Sequence, residues 1–201
     1  MKILTNLRQQ FCERYWSQKA KLPKRDYVEL QCALYSANVK LLTGRGLSLQ
    51  EFKRRYGVSF ERVINQTDRE FKSLRETTKE MIVYRGVSEP KGKEHPLLKK
   101  LYQKSLNIKE NDTIAARGYA FAALEQSLAK LFGLHANKAG ILYEIRIPKG
   151  ARVSMRWDEV VFPRYSKFKC LESKEIVNVE GKCMFKRMEY IVPKEKSGWF
   201  Y

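Results

Sequence analysis

Two charged side chains stand at the ends of apolar runs, where packing alone gives no reason for them. Glu159 directly precedes Val160-Val161-Phe162, a short strand that Pro163 stops because it cannot donate to a ladder. Arg85 follows Met81-Ile82-Val83-Tyr84 and precedes Gly86. A guanidinium is permanently charged and presents paired N–H groups that match a phosphate. Gly86 removes a side chain where a ligand could approach the backbone. Each feature alone has a bland counterpart. A lone glutamate at a strand start is usually a solvated edge residue, and Arg-Gly after a strand is common in loops.

A third stretch lies between them: Gly118-Tyr119-Ala120-Phe121-Ala122-Ala123-Leu124, followed by Ala129 and Phe132. Small residues at 120, 122 and 123 leave room beside a strand. The next helix puts Leu128, Leu131 and Phe132 on neighbouring faces. Ordinary strand–helix packing explains this stretch by itself. Thr43-Gly44-Arg45-Gly46 reads as a turn; no lysine-serine follows it, so it lacks the context of a phosphate loop.

The elements that must hold these residues divide the chain in two. The first 80 residues read as about four helices. Leu22-Pro23 breaks the first, and Asp26 can cap the second. Ser48-Leu49-Gln50-Glu51 forms a capping box, and Thr67-Asp68-Arg69-Glu70 is expected to repeat the device and open a helix to about Lys79. From Met81 the period changes. Strands are expected over 81–85, 118–123, 140–147, 159–162, 167–171, 175–179 and 184–192, with helices near 97–106 and 125–134. Ile141, Tyr143, Ile145 and Ile147 alternate with Leu142, Glu144 and Arg146. The expected fold class is α+β: a helical N-terminal part, residues 1–79, followed by a mainly antiparallel sheet domain, residues 80–201.

The chain has 201 residues with 40 Lys and Arg against 22 Asp and Glu, a net charge of +18. The excess is spread out: residues 1–80 carry 17 basic and 9 acidic residues, and residues 81–201 carry 23 and 13. Such a surface attracts anions, whether nucleic acid, phosphates or acidic proteins. Four scattered cysteines, no CxxC and two histidines argue against a zinc site and for a reducing compartment. No run is long and apolar enough for a membrane span, and the N-terminus has no signal-peptide core, so a cytoplasmic protein without membrane contact is expected.

Taken together and in order, the three stretches resemble the ADP-ribosyltransferase exoenzyme family. The likeness covers about residues 80–190. Tyr84-Arg85-Gly86 matches the tyrosine-arginine-glycine that closes the family's first catalytic strand. Leu124, Ala129 and Phe132 match the leucine, alanine and phenylalanine of the following helix. Glu159-Val160-Val161-Phe162-Pro163-Arg164, then Lys167-Phe168-Lys169, matches the glutamate, its apolar run and the basic strand. The size and helical leader look most like the small Mod enzymes of T-even bacteriophages.

The resemblance implies a split, mainly antiparallel sheet and a mono-ADP-ribosyltransferase that consumes NAD and needs no metal. It implies that Arg85 grips the pyrophosphate and that Glu159 binds the ribose and stabilises the reacting carbon. Tyr84, Gly86, Phe121, Ala122 and Phe132 would line the NAD site, with Phe132 near the nicotinamide. Trp157 and Asp158 would meet the acceptor, expected to be arginine side chains of host proteins such as RNA polymerase or ribosome-associated proteins, in the host cytoplasm. Two positions depart from the pattern. The family's Ser-Thr-Ser reads Phe121-Ala122-Ala123, so the hydroxyl that holds the glutamate is missing. The residue two before the glutamate, a glutamate in arginine-specific members, is Trp157. Two other readings stay open: a nucleic-acid-binding protein on a degenerate transferase fold, and a transferase that modifies nucleic acid.

Overall fold

The structure, a computed structural model, describes residues 26–90, 96–133, 140–156, 159–178 and 181–193. It divides into two compact units: the first takes the chain up to Ser73 together with residues 155–157, and the second takes Leu74–Ser154 and the chain from 158 onward.

The first unit contains α1 (Asp26–Thr43), α2 (Leu49–Tyr56) and α3 (Phe60–Ser73). Each helix buries a narrow apolar stripe: Ala33, Leu34 and Ala37 on α1, Phe52 on α2, and Val63, Ile64 and Phe71 on α3. The Phe52 ring meets Tyr56 at 4.8 Å and Phe60 at 5.9 Å between centroids. The capping box at Ser48 forms as expected: Glu51 N–H donates to Ser48 Oγ at 3.2 Å, and Ser48 N–H donates to Glu51 Oε2 at 2.9 Å. The second expected box does not form. Thr67 lies inside α3, buried, and its hydroxyl donates to the Val63 carbonyl at 2.8 Å. The helix is instead entered from Ser59, whose Oγ accepts the Arg62 N–H at 3.2 Å. Its apolar positions at 60, 63, 64 and 71 already keep helical spacing upstream of Thr67, so the cap comes earlier, and the helix stops at Ser73.

From Met81 the chain forms an eight-stranded sheet: β1 (Met81–Ser88), β2 (Thr113–Ala115), β3 (Ala120–Ala123), β4 (Gly140–Ile147), β5 (Ser154–Arg156), β6 (Glu159–Phe162), β7 (Lys167–Asn178) and β8 (Gly181–Ile191); all of it but Met155 and Arg156 of β5 belongs to the second unit. The helices are α4 (Pro96–Leu106) and α5 (Gln126–Gly133). The strand order is β2-β7-β8-β4-β1-β3-β6-β5. Of the pairings described, only β4 with β8 is parallel. The expected strands 167–171 and 175–179 are one, β7, with a bulge between Cys170 and Glu172. A bulge breaks the alternation, which is why the run reads as two. Strands β2 and β5 are too short to show a period.

The main core lies on one face of the sheet. Val83, Tyr143, Ile145, Ile147, Val160, Phe162, Met188 and Tyr190 meet there, and the rings of Phe162, Phe168 and Tyr190 pack at 5.1–5.6 Å. Helix α5 packs on the other face, where Ala129 and Leu128 join Tyr84, Ala123, Leu142 and Phe185. Thr77 pins the turn that follows β4. Its hydroxyl donates to the Pro148 carbonyl and accepts the Ala151 N–H, both at 3.0 Å, and its main chain bonds Gly150 and Ala151.

Candidate active site

The sheet changes character between β1 and β3. Strand β1 runs in register with β4 over its whole length, Met81 facing Ile147 through Ser88 facing Gly140. With β3 it shares one registered pair, Tyr84 with Ala123. The sheet is therefore split at this point, and the candidate residues sit on both sides of the split.

Strand β3 continues the row. Ala123 faces Glu159, the first residue of β6, and the pairing runs on through Ala122 with Val160, Phe121 with Val161 and Ala120 with Phe162. Directly opposed residues leave the same face of a sheet, so Tyr84, Ala123 and Glu159 form one row on the α5 side. The register extends that row to Glu144 on β4, which faces Tyr84. The Glu144 carboxylate is held by Arg187 Nε at 2.8 Å. Glu144 is thus a structural partner, and Glu159 is the carboxylate that begins a strand.

Arg85 does not end its strand. β1 continues three residues beyond it, and Arg85 faces Tyr143 on β4. The hairpin-like register with β4 carries Gly86-Val87-Ser88 into the sheet, which the glycine had masked in the sequence. Arg85 therefore leaves the core face, next to Tyr143 and on the side of Ala122. Its side chain is half-buried and spans the split: Nη1 donates to the Phe121 main-chain carbonyl at 3.0 Å. The link between Arg85 and Glu159 runs through β3, by way of the Phe121 carbonyl and then Ala123, two residues on.

The remaining expected site residues fall as follows. Phe121 is half-buried on the Glu159 face. Ala122 is buried in the main core, so its contribution to any ligand would come from its backbone. Gly86 pairs with Leu142. Ala129, at the family's alanine position, is 1% exposed and lets α5 approach the sheet closely. The Phe132 side chain, Trp157 and Asp158 lie outside the described residues.

Two residues near Arg85 were not singled out in the sequence. Tyr143 is buried beside it, and its hydroxyl is pushed above the usual tyrosine value by burial, with the Ser105 hydroxyl and the Arg85 charge pulling the other way. Lys186, the next residue in the same row, is fully buried. Its ammonium donates to the carbonyls of Ile108 at 2.6 Å and Leu106 at 3.1 Å and to Ser173 Oγ at 2.8 Å. Burial lowers its pKa; Cys170 and Asp112 act in the opposite sense. A signal existed: Lys186 falls in phase with Met188 and Tyr190, the inward positions of β8. Among the described residues no group of His, Cys, Asp and Glu suits a metal ion, and no helix is long and apolar enough to cross a membrane.

No protein-family model and no curated protein sequence matches the chain. Solved structures do. Plx2a, an ADP-ribosyltransferase toxin from Paenibacillus larvae, is 18% identical over 91% of this chain and 96% of its own, with a TM-score of 0.53. Vis toxin, an ADP-ribosyltransferase from Vibrio splendidus, is 16% identical over 95% of this chain and 86% of its own, TM-score 0.54. Exoenzyme S from Pseudomonas aeruginosa, solved with human 14-3-3 protein beta and carba-NAD, is 12% identical over 89% of this chain and 80% of its own, TM-score 0.55. At such identities the likeness establishes the fold, a helical leader followed by the ADP-ribosyltransferase sheet.

Proposed function

We propose that this protein transfers ADP-ribose from NAD to a side chain of an acceptor protein and releases nicotinamide. One observation carries the reading. The register sets Glu159 opposite Ala123 and Ala123 opposite Tyr84, while Arg85 is bonded to the Phe121 carbonyl of the same strand. Three stretches distant in sequence thus become three adjoining strands.

The residue types suit this substrate. Arg85 offers a half-buried, permanently charged fork to the pyrophosphate. Glu159 offers a carboxylate to the ribose hydroxyl and to the positive charge that develops at the sugar carbon. The glycosidic bond to nicotinamide breaks and its electron pair leaves with the ring. A lone pair of the acceptor then forms the new bond to that carbon, and the acceptor's proton passes to solvent. Tyr84, Gly86, Phe121 and the Ala122 backbone would line the cleft; Phe132 is a further candidate on the resemblance alone. On the resemblance alone, Trp157 and Asp158, which precede Glu159 in the sequence, are the residues to test for acceptor recognition. Arginine side chains of host transcription or translation proteins are the first acceptors to test, on the resemblance to the phage Mod enzymes.

The test is labelled NAD incubated with bacterial lysate and purified protein, with Glu159→Gln in parallel. Label on discrete proteins, reduced about 10²–10³-fold by the substitution, supports the reading. Absence of both label and nicotinamide release with the parent protein overturns it.

A further inference from the structure

Strand β2 is one edge of the sheet and pairs antiparallel with the start of β7, Thr113 facing Lys169 and Ala115 facing Lys167. Ile114 and Phe168 turn inward to the core. Thr113, Ala115, Lys167 and Lys169 therefore turn outward. The pairing continues past the strand end: Ala116 N–H donates to the Ser166 carbonyl at 2.9 Å, and Tyr165 N–H to the Ala116 carbonyl at 2.7 Å. The alternation continues with it. Ser166 is buried, whereas Arg117 and Tyr165 are exposed. One outward stripe results, Arg117, Tyr165, Lys167 and Lys169. Arg164 adds a guanidinium 5.7 Å from the Tyr165 ring centroid.

Among the described residues Arg117, Lys167 and Lys169 form no ion pair. Glu189 faces Lys169 across β8, but its carboxylate lies 3.8 Å from Arg146 Nη1. Asp112 accepts the Lys109 N–H at 2.8 Å.

Tyr165 is the residue that edge protection does not explain. Charged residues beside a sheet edge, here on β7 next to the edge strand β2, discourage unwanted pairing. They do not call for a bulky aromatic at φ 63°, a left-handed conformation that costs backbone energy, with its side chain 54% exposed. The turn's main-chain bonds hold the ring outward beside the cations.

We propose that this stripe docks single-stranded nucleic acid. Lys167, Lys169 and Arg117 take phosphates, and Tyr165, backed by Arg164, stacks on a base. An acidic protein face would satisfy the cations but leave the ring without a role; every base offers a π-face. The net charge of +18 draws such a polymer to the surface. The stripe begins past the Phe162 end of β6, whereas Glu159 is at the other end. The docking site is independent of the transferase reading.

The test uses fluorescence anisotropy with the full chain and a labelled oligouridylate of about 12 nucleotides, a length within the range one such patch occupies. Binding should weaken as salt rises. Lys167→Glu with Lys169→Glu should reduce affinity at least tenfold and flatten the slope of log affinity against log salt by roughly 1.4, two phosphate contacts' worth. Tyr165→Ala should cost about 5-fold or more with the slope unchanged, and Tyr165→Phe should bind as the parent does. Far-ultraviolet circular dichroism checks folding, and if the double reversal is unfolded the paired Lys→Gln variant replaces it. Glu159→Gln should bind as the parent does, which separates this site from the transferase site. The proposal is overturned if the parent does not bind the oligonucleotide, if the stripe variants bind it unchanged, or if polyglutamate competes as well as unlabelled oligouridylate.

Discussion

Arg85 Nη1 donates to the Phe121 main-chain carbonyl over 3.0 Å. This bond spans the split between β1 and β3 and orients a guanidinium that would otherwise lie over the core face. Position 121 is where the family pattern has its first serine. Here the side chain is aromatic, and the strand's contribution is its backbone.

Arg85→Lys should therefore weaken NAD binding although it keeps the charge. A lysine ammonium is a point donor without the planar fork, and it cannot hold the carbonyl and a phosphate in one fixed geometry. A rise in the KM for NAD of roughly 10–150-fold is expected, from the loss of about 1.5–3 kcal/mol of charge-assisted hydrogen bonding. Nicotinamide release at varied NAD reads it. An unchanged KM removes Arg85 from the site.

Ala123→Ser should raise the rate. Ala123 faces Glu159 directly across the β3–β6 ladder, where opposed Cβ atoms stand about 4.5–5.5 Å apart. A hydroxyl there reaches the carboxylate and adds a donor directly opposite it. A gain in kcat of about 2–10-fold corresponds to one hydrogen bond of about 0.5–1.5 kcal/mol. Ala123→Val, which fills the same place without a donor, should lower kcat. Equal rates for both variants would show that Glu159 is not oriented from this position.

Lys186→Met should destabilise the sheet domain by about 2–4 kcal/mol, because it leaves the Leu106 and Ile108 carbonyls and the Ser173 hydroxyl without their donor. Urea unfolding measures it. The burial that lowers the Lys186 pKa opposes the charged form in the folded state. The unfolded chain therefore binds more protons between the lowered folded value and 10.5. The contribution linked to Lys186 titration grows as pH rises through that window and is lost as pH falls below it. The gap between parent and Lys186→Met should widen accordingly.

Tyr190→Phe should be neutral or mildly stabilising at neutral pH. The Tyr190 hydroxyl is buried with no hydrogen-bond partner among the described residues, and the neighbouring Ser166 donates its own proton to the Pro163 carbonyl at 2.7 Å. Burial raises the Tyr190 pKa from 10.0 to about 12, with Ser166 tempering the shift. Stability linked to this group is fully present below pH 10 and is lost as pH rises through about 12. The substitution should blunt alkaline unfolding in that interval. A variant that unfolds with the parent's alkaline profile would contradict the assignment.

Much of this molecule was legible in the residues. Strand β4 was read from strict alternation, β6 from an apolar run closed by Pro163, and α2 from its Ser48–Glu51 box, because each signal is local and nothing distant competes with it. Thr67-Asp68-Arg69-Glu70 has the same composition as a cap but lies inside α3, since the apolar stripe that packs the helical unit had already begun at Phe60. Charge and the identities of Arg85 and Glu159 marked candidates for chemistry without saying how they meet.

The sequence by itself determined which residues carry charge, where β1, β4 and β6 lie, and that the period changes from helix to sheet near Met81. Tertiary structure alone decided that Ala123 stands between Tyr84 and Glu159, that Arg85 is mid-strand and bonded to Phe121, and that Lys186 is buried. The reason is that register is fixed by pairing between segments tens of residues apart. A shift of one residue in any of those ladders would send every side chain to the opposite face, and no local pattern in β1, β3 or β6 specifies the partner.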